Sequence, residues 1–164
     1  MKTPTYEACL AASRLLVYLK KTKTKGLFYS GLSHNLHVYS DSDWASDLDT
    51  RRSTSGYVVI MAGGPISWMS KLQSIMATSS MEAEYIASYS AVQEITWIRA
   101  LLGLSRDKPT TLKIDNKSAI DLAHNPVHHQ RSKHIDIKYH WLRDKISDGT
   151  IALVHVPTTD QRAD

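Results

Sequence analysis

From residue 35 onward, three strand-like runs follow one another with no helix between them, and only then do helices and strands alternate. Hydrophobic alternation and turn residues place these strands at 35–41, 54–62 and 64–70, the last two joined by the turn signal Gly63-Gly64-Pro65. Helical spacing then predicts a helix over 80–102, ending at Gly103, and a strand over 110–115. A short helix at 116–123, a break at Asn125-Pro126, a helix at 135–147 and a closing strand at 151–156 complete the run. Strands joined by tight turns pair antiparallel, whereas strands separated by a helix can return parallel. The order β-β-β-α-β-α-α-β therefore predicts an α/β domain with a mixed five-stranded sheet flanked by helices. At 164 residues and 42% hydrophobic, the chain can bury a core of that size.

Ahead of that domain the pattern predicts an extra N-terminal helix over 4–20, capped by Thr3 with Pro4 in the first turn and an apolar side made by Leu10, Leu15, Leu16 and Leu19. A lysine-rich stretch from Lys20 to Gly26 ends it, and 26–30 can form a short strand. Residues 1–30 thus read as a helix plus basic linker, and 31–164 as the main domain. The single cysteine, Cys9, excludes an internal disulfide, fits a reducing compartment and is expected to be a small buried apolar residue. No apolar run approaches the ~18 residues of a membrane span, and the N-terminus lacks the apolar core of a signal peptide. The net charge of +4 permits a polyanionic partner without requiring one.

Four acids stand out by position. Asp41 closes the first strand, Asp115 closes the fourth, Glu84 shares a helical stripe with Ala87, Ala91, Ile95 and Ile98, and Asp164 is the last residue. In open α/β sheets ligands bind at the C-terminal ends of strands, which is where Asp41 and Asp115 fall. Carboxylates gathered there repel one another unless cations neutralise them, so the cluster predicts Mg²⁺ and phosphate chemistry. Two choices stay open at this level. Asp43 stands two residues from Asp41, although it belongs with Asp47 and Asp49 to the polar loop over 43–53. Glu82 stands two residues from Glu84, although the Ser79-x-x-Glu82 spacing gives it a capping role. Asp115 could cap the helix that follows it, but Asn116 can do so equally well. A ligand on a frayed chain end is poorly placed, which makes Asp164 a conditional fourth member.

The histidines His124, His128, His129, His134 and His140 match no structural zinc spacing. Arg131, Lys133, His134 and Lys138 read as phosphate contacts or as a solvated basic face. His155, nine residues before Asp164, is a candidate proton shuttle or a strand-end histidine. Trp44 and Trp68 are expected in the core.

The motifs Tyr39-Ser40-Asp41-Ser42-Asp43-Trp44-Ala45, Arg52-Ser53-Thr54-Ser55-Gly56-Tyr57, Ser67-Trp68, Ser70-Lys71, Ser79-Ser80-Met81-Glu82-Ala83-Glu84-Tyr85 and Asp115-Asn116-Lys117-Ser118-Ala119 occur in that order. Lys133-His134-Ile135-Asp136 and Val156-Pro157-Thr158 with Ala163-Asp164 follow. Together they resemble the ribonuclease H domain of copia-type (Pseudoviridae) LTR-retrotransposon polyproteins, over nearly the whole chain, with 1–30 similar to the segment connecting that domain to the reverse transcriptase. The pattern departs at Leu72, where a second basic residue is usual.

The resemblance implies a ribonuclease H-like fold and endonucleolytic hydrolysis of the RNA strand of RNA–DNA hybrids during reverse transcription. By motif, Asp41, Glu84, Asp115 and Asp164 correspond to the catalytic metal ligands, with two Mg²⁺ ions or Mn²⁺ in their place as cofactor. Ser42, Asn116, Ser118, Arg131, Lys133 and His134 are the candidate substrate contacts. The implied partners are the hybrid and the reverse transcriptase domain of the same polyprotein, with no membrane, in the cytoplasm within virus-like particles. A transposase or integrase would place its glutamate last among the acids, whereas here it comes second. A polymerase is disfavoured because no adjacent Asp-Asp pair occurs. The alternative of a different class is a non-catalytic or weakly active nucleic-acid-binding or assembly module with the same fold.

Overall fold

Strand connections explain the sheet. It is built from β1 (His37–Asp43), β2 (Thr54–Met61), β3 (Gly64–Leu72), β4 (Thr110–Ile114) and β5 (Ile151–His155), in the spatial order β3-β2-β1-β4-β5. The structure, a computed structural model, describes residues 5–31, 35–105, 107–124 and 133–164, and of 133–136 the backbone alone. The β2–β3 turn carries positive φ at both Ala62 (54°) and Gly63 (84°). That backbone matches the twist of a tight antiparallel hairpin. β1 pairs antiparallel with β2. β4 is reached through α2 (Ser80–Leu101), and β5 through α3 (Lys117–His124) and α4 (Lys133–Ser147). Both join the sheet parallel, β4 beside β1 and β5 beside β4. The C-terminal ends of β1 and β4 therefore share one edge of the sheet.

α2 packs on one face because its sequence alternates small and branched residues. Ala83, Ala87, Ala91, Val92 and Ile95 are fully buried, and the alanines let the helix axis approach β1 closely. Beneath β1 the Ser40 and Ser88 hydroxyls, both buried, meet at 3.2 Å, so neither is left unsatisfied. Tyr85 stacks on Tyr139 at 3.8 Å between ring centroids, which ties α4 to α2. Ile95→Ala should cost about 2–5 kcal/mol, the range for an aliphatic residue removed from a packed core. Urea unfolding of the two proteins measures it.

The N-terminal helix α1 (Tyr6–Thr22) is present but buries none of its residues. Its cap is Thr5, whose Oγ1 accepts the Ala8 N–H at 3.2 Å. Thr3 and Pro4 lie outside the described residues. Because no residue of α1 is buried among the described residues, Cys9 is exposed rather than buried. No strand forms over 26–30. That segment meets the β2–β3 turn through Ser30 N–H to Ala62 O and Tyr29 Oη–H to Pro65 O, too few bonds for a ladder. Trp44 and Trp68 are not core residues, being 50% and 64% exposed. Trp44 follows β1 and is held by its indole N–H to Ala77 O, and Trp68 is opposite Val58 on β3. The break at Asn125-Pro126 lies outside the described residues.

Candidate active site

Each acid reaches the sheet edge for a local reason. Asp41 lies in β1, opposite Gly56 of β2 in the ladder, and is half-buried. Asp43, at the end of the same strand, is exposed. Asp47 is occupied in its own loop, where one carboxylate oxygen accepts the N–H groups of Asp49 and Thr50. Among the neighbouring glutamates the division is equally clear. Ser79 caps α2, its Oγ accepting the Glu82 N–H at 3.2 Å. The Glu82 carboxylate turns back to Thr78, taking its hydroxyl at 2.6 Å and its N–H, where a reciprocal capping box would have sent it to the cap residue itself. Glu84 faces the sheet and is 5% exposed. Its Oε1 accepts both the N–H and the Oγ–H of Ser42, each at 3.0 Å, while Oε2 is buried with no hydrogen-bond partner.

Asp115 follows β4 directly. Its carboxylate accepts the Thr158 hydroxyl at 2.8 Å, and its carbonyl oxygen lies 3.1 Å from Nε2 of His155. Asn116 caps α3, its Oδ1 accepting the Ala119 N–H at 3.1 Å, which leaves the Asp115 carboxylate free to face the cluster. One oxygen from each of Asp41, Glu84 and Asp115 lies within 4.8 Å of the others. Burial and then the Asp41 charge push Glu84 up to about 8. Burial and then the Asp115 charge hold Asp41 above the ordinary aspartate range. Such a set of crowded carboxylates, one with an orphaned oxygen inside, fits a divalent cation: the ion replaces both the missing partner and the shared proton. Asp164 is exposed and outside this triad, though its charge also reaches Asp41.

Of the other candidates, Ser42 is committed to Glu84 and Ser118 is exposed at the start of α3. Arg131 and the side chains of Lys133 and His134 lie outside the described residues. Residue type alone does not mark Thr158, which binds the Asp115 carboxylate, or Gln161, whose Nε2 donates to Ser40 O, although Thr158 falls in the Val156-Pro157-Thr158 motif. Glu82→Gln leaves the Ser79 cap in place and weakens only the bonds to Thr78, so it should lower stability by about 1 kcal/mol. It should leave metal binding intact, whereas Glu84→Gln should abolish the triad's metal affinity; calorimetric titration with Mn²⁺ separates the two.

Comparison with solved structures shows the same architecture. RNase H1 from the halophilic archaeon Halobacterium salinarum aligns with a TM-score of 0.57 and 18% identity, covering 79% of this chain and 90% of that one. LC11-RNase H1, isolated from compost, gives 0.58 and 17%, covering 80% and 91%. A structure of LC11-RNase H1 in complex with an RNA/DNA hybrid gives 0.55 and 14%, covering 78% and 89%. The molecule therefore has a ribonuclease H-like fold. No protein-family model matches the chain. In sequence it is 44% identical to the retrovirus-related Pol polyprotein from transposon RE1 of Arabidopsis thaliana, and 38% identical to that from transposon TNT 1-94 of Nicotiana tabacum. Both matches cover the whole chain and 12% of the polyprotein. The chain is thus a ribonuclease H-like domain homologous to the Pol polyproteins of copia-like transposons, about an eighth of their length.

Proposed function

We propose that this chain is a metal-dependent endoribonuclease that hydrolyses the RNA strand of RNA–DNA hybrids during reverse transcription of a retrotransposon. The observation that carries this reading is the triad of Asp41, Glu84 and Asp115, with the unpartnered Oε2 of Glu84 buried beside it. These residues, with Asp164 at the rim, would hold two Mg²⁺ ions or Mn²⁺ in their place. Bound there, the ions would supply Lewis acidity toward the phosphate and make water a stronger acid.

The chain's own residues do the positioning. Ser42 fixes one oxygen of Glu84 with two hydrogen bonds, which sets the orientation of that carboxylate. Thr158 does the same for Asp115. Water attacks phosphorus in line, the bond to the 3′ oxygen breaks, and the products carry 5′-phosphate and 3′-hydroxyl ends. His155 stands at this edge with one ring nitrogen against the Asp115 carbonyl. That nitrogen must be the protonated one, which leaves Nδ1 as the atom available to exchange a proton. The Ser42 hydroxyl keeps acceptor capacity for a 2′-hydroxyl, Asn116 keeps its amide donors, and Ser118 is exposed at the start of α3. Arg131, Lys133 and His134 are proposed to meet the phosphates.

Residues 1–30, whose helix buries nothing, are proposed as the connection to the reverse transcriptase domain of the same polyprotein. No helix among the described residues is long and apolar enough to cross a membrane. We place the activity in the cytoplasm, within virus-like particles. A hybrid labelled on either strand tests the proposal: with Mg²⁺ the RNA strand is cut and the DNA strand is not. Binding without cleavage of either strand would favour a non-catalytic module instead.

A further inference from the structure

The motif Arg52-Ser53-Thr54-Ser55-Gly56-Tyr57 has no part in the acidic triad, yet Gly56 stands opposite Asp41 in the β1–β2 ladder. The chain after β5 crosses the sheet edge at this point. It leaves β5 with Val156 N–H on Ile114 O, turns through the 3₁₀ helix Thr158–Asp160, and is fastened at three successive places. Thr158 is bound to the Asp115 carboxylate at 2.8 Å. Gln161 Nε2 donates to Ser40 O at 2.9 Å, within β1 and one residue from Asp41. The Arg162 guanidinium lies 5.7 Å from the Tyr39 ring centroid. Ala163 then rests on Gly56 so closely that a Cβ there would lie 2.7 Å from its carbonyl oxygen. Real Cβ atoms do not approach an oxygen so closely, and of the two partners the unpaired strap, not β2 with its ladders to β1 and β3, is the one that can move.

We infer that Gly56 and Gln161 are positioning residues: together they seat the strap over 156–163 so that Asp164 is delivered to Asp41 as the fourth carboxylate of the metal site. The inference rests on the proposed metal site. It explains how Asp164 is placed, since three tethers hold the backbone leading to it. It also gives a reason for glycine within a strand, where its absent side chain otherwise weakens packing: a second backbone passes directly over it.

Mn²⁺ titrated calorimetrically into the 164-residue chain tests it, with thermal unfolding in metal-free buffer as the control for folding. Asp164→Asn should weaken the weaker Mn²⁺ site, and Gly56→Ala should weaken it by the same factor, about tenfold for loss of ligand positioning. Gly56→Ala combined with Asp164→Asn should bind no worse than either alone, because both changes remove one interaction. Gly56→Ala binding Mn²⁺ as tightly as the parent, or losses that multiply in the double variant, would overturn the inference. If Gly56→Ala does not fold, Gln161→Ala is judged by the same criterion. Asp115→Asn distinguishes the underlying reading: Mn²⁺ binding that survives it removes the metal site itself, and the inference with it.

Discussion

Asp41→Asn should lower cleavage of an RNA–DNA hybrid by about a thousandfold, since loss of ~4 kcal/mol of transition-state charge stabilisation corresponds to that factor. Folding should respond in the opposite direction. In the absence of metal, Asp41 is crowded by Asp115 and lies against Glu84, and burial adds to the cost of its charge. Removing that charge relieves the cluster, so the variant should unfold at equal or higher urea concentration than the parent in metal-free buffer. Single-turnover cleavage and urea unfolding on the same preparations measure the two effects. A variant equally active, or inactive only because it is unfolded, would remove Asp41 from the catalytic role.

Metal-free stability should fall as pH rises, and Mg²⁺ should reverse the trend. Glu84 titrates at about 8 in the folded chain but near 4.5 once unfolded. Between those values the folded state binds more protons than the unfolded one, so stability is fully present at the lower pH and is lost as pH climbs through about 8. Asp41, shifted in the same direction, adds to the slope. The loss should be on the order of a few kcal/mol across the window, a magnitude typical of one buried shifted carboxyl. Mg²⁺ binds the ionised carboxylates, so its stabilising effect should grow over that range. Thermal unfolding at about pH 5.5 and about pH 8, with and without Mg²⁺, measures both slopes. In Glu84→Gln the metal-free slope should shrink to what Asp41 contributes. A parent whose metal-free stability rises with pH over this window would contradict the burial of Glu84.

Much of the sheet was legible because its determinants are local. The turn at Gly63 and the strand–helix alternation after α2 fix which neighbours are antiparallel and which parallel. Asp115 was separable from nearby acids because it directly follows the end of β4. Asp41 does not close its strand as expected: β1 runs on to Asp43, and Asp41 differs from Asp43 in being half-buried inside the ladder, opposite Gly56. Glu84 was separable from Glu82 because one follows the apolar stripe of α2 and the other a cap. What the sequence left dark depends on contacts between distant segments. The exposure of Cys9 follows from α1 burying none of its residues among those described, which its own amphipathic pattern does not reveal. Trp44 and Trp68 look like core residues by type, yet one follows a strand into a loop and the other is paired with Val58 on an exposed part of β3. Ser42 was legible as a polar residue beside the site, but its two bonds to Glu84, 42 positions away, were not. The seating of Ala163 on Gly56, 107 positions away, is likewise a matter of distant segments and a gap of one side chain.

The central claim is that Asp41, Glu84 and Asp115 form a metal site that hydrolyses hybrid RNA. Cleavage of an RNA-labelled hybrid in Mg²⁺ by the parent and by Asp115→Asn, side by side, tests it most directly. The parent should cut the RNA strand into fragments with 5′-phosphate ends, and Asp115→Asn, equally folded, should leave it intact. Equal cleavage by both proteins would contradict it.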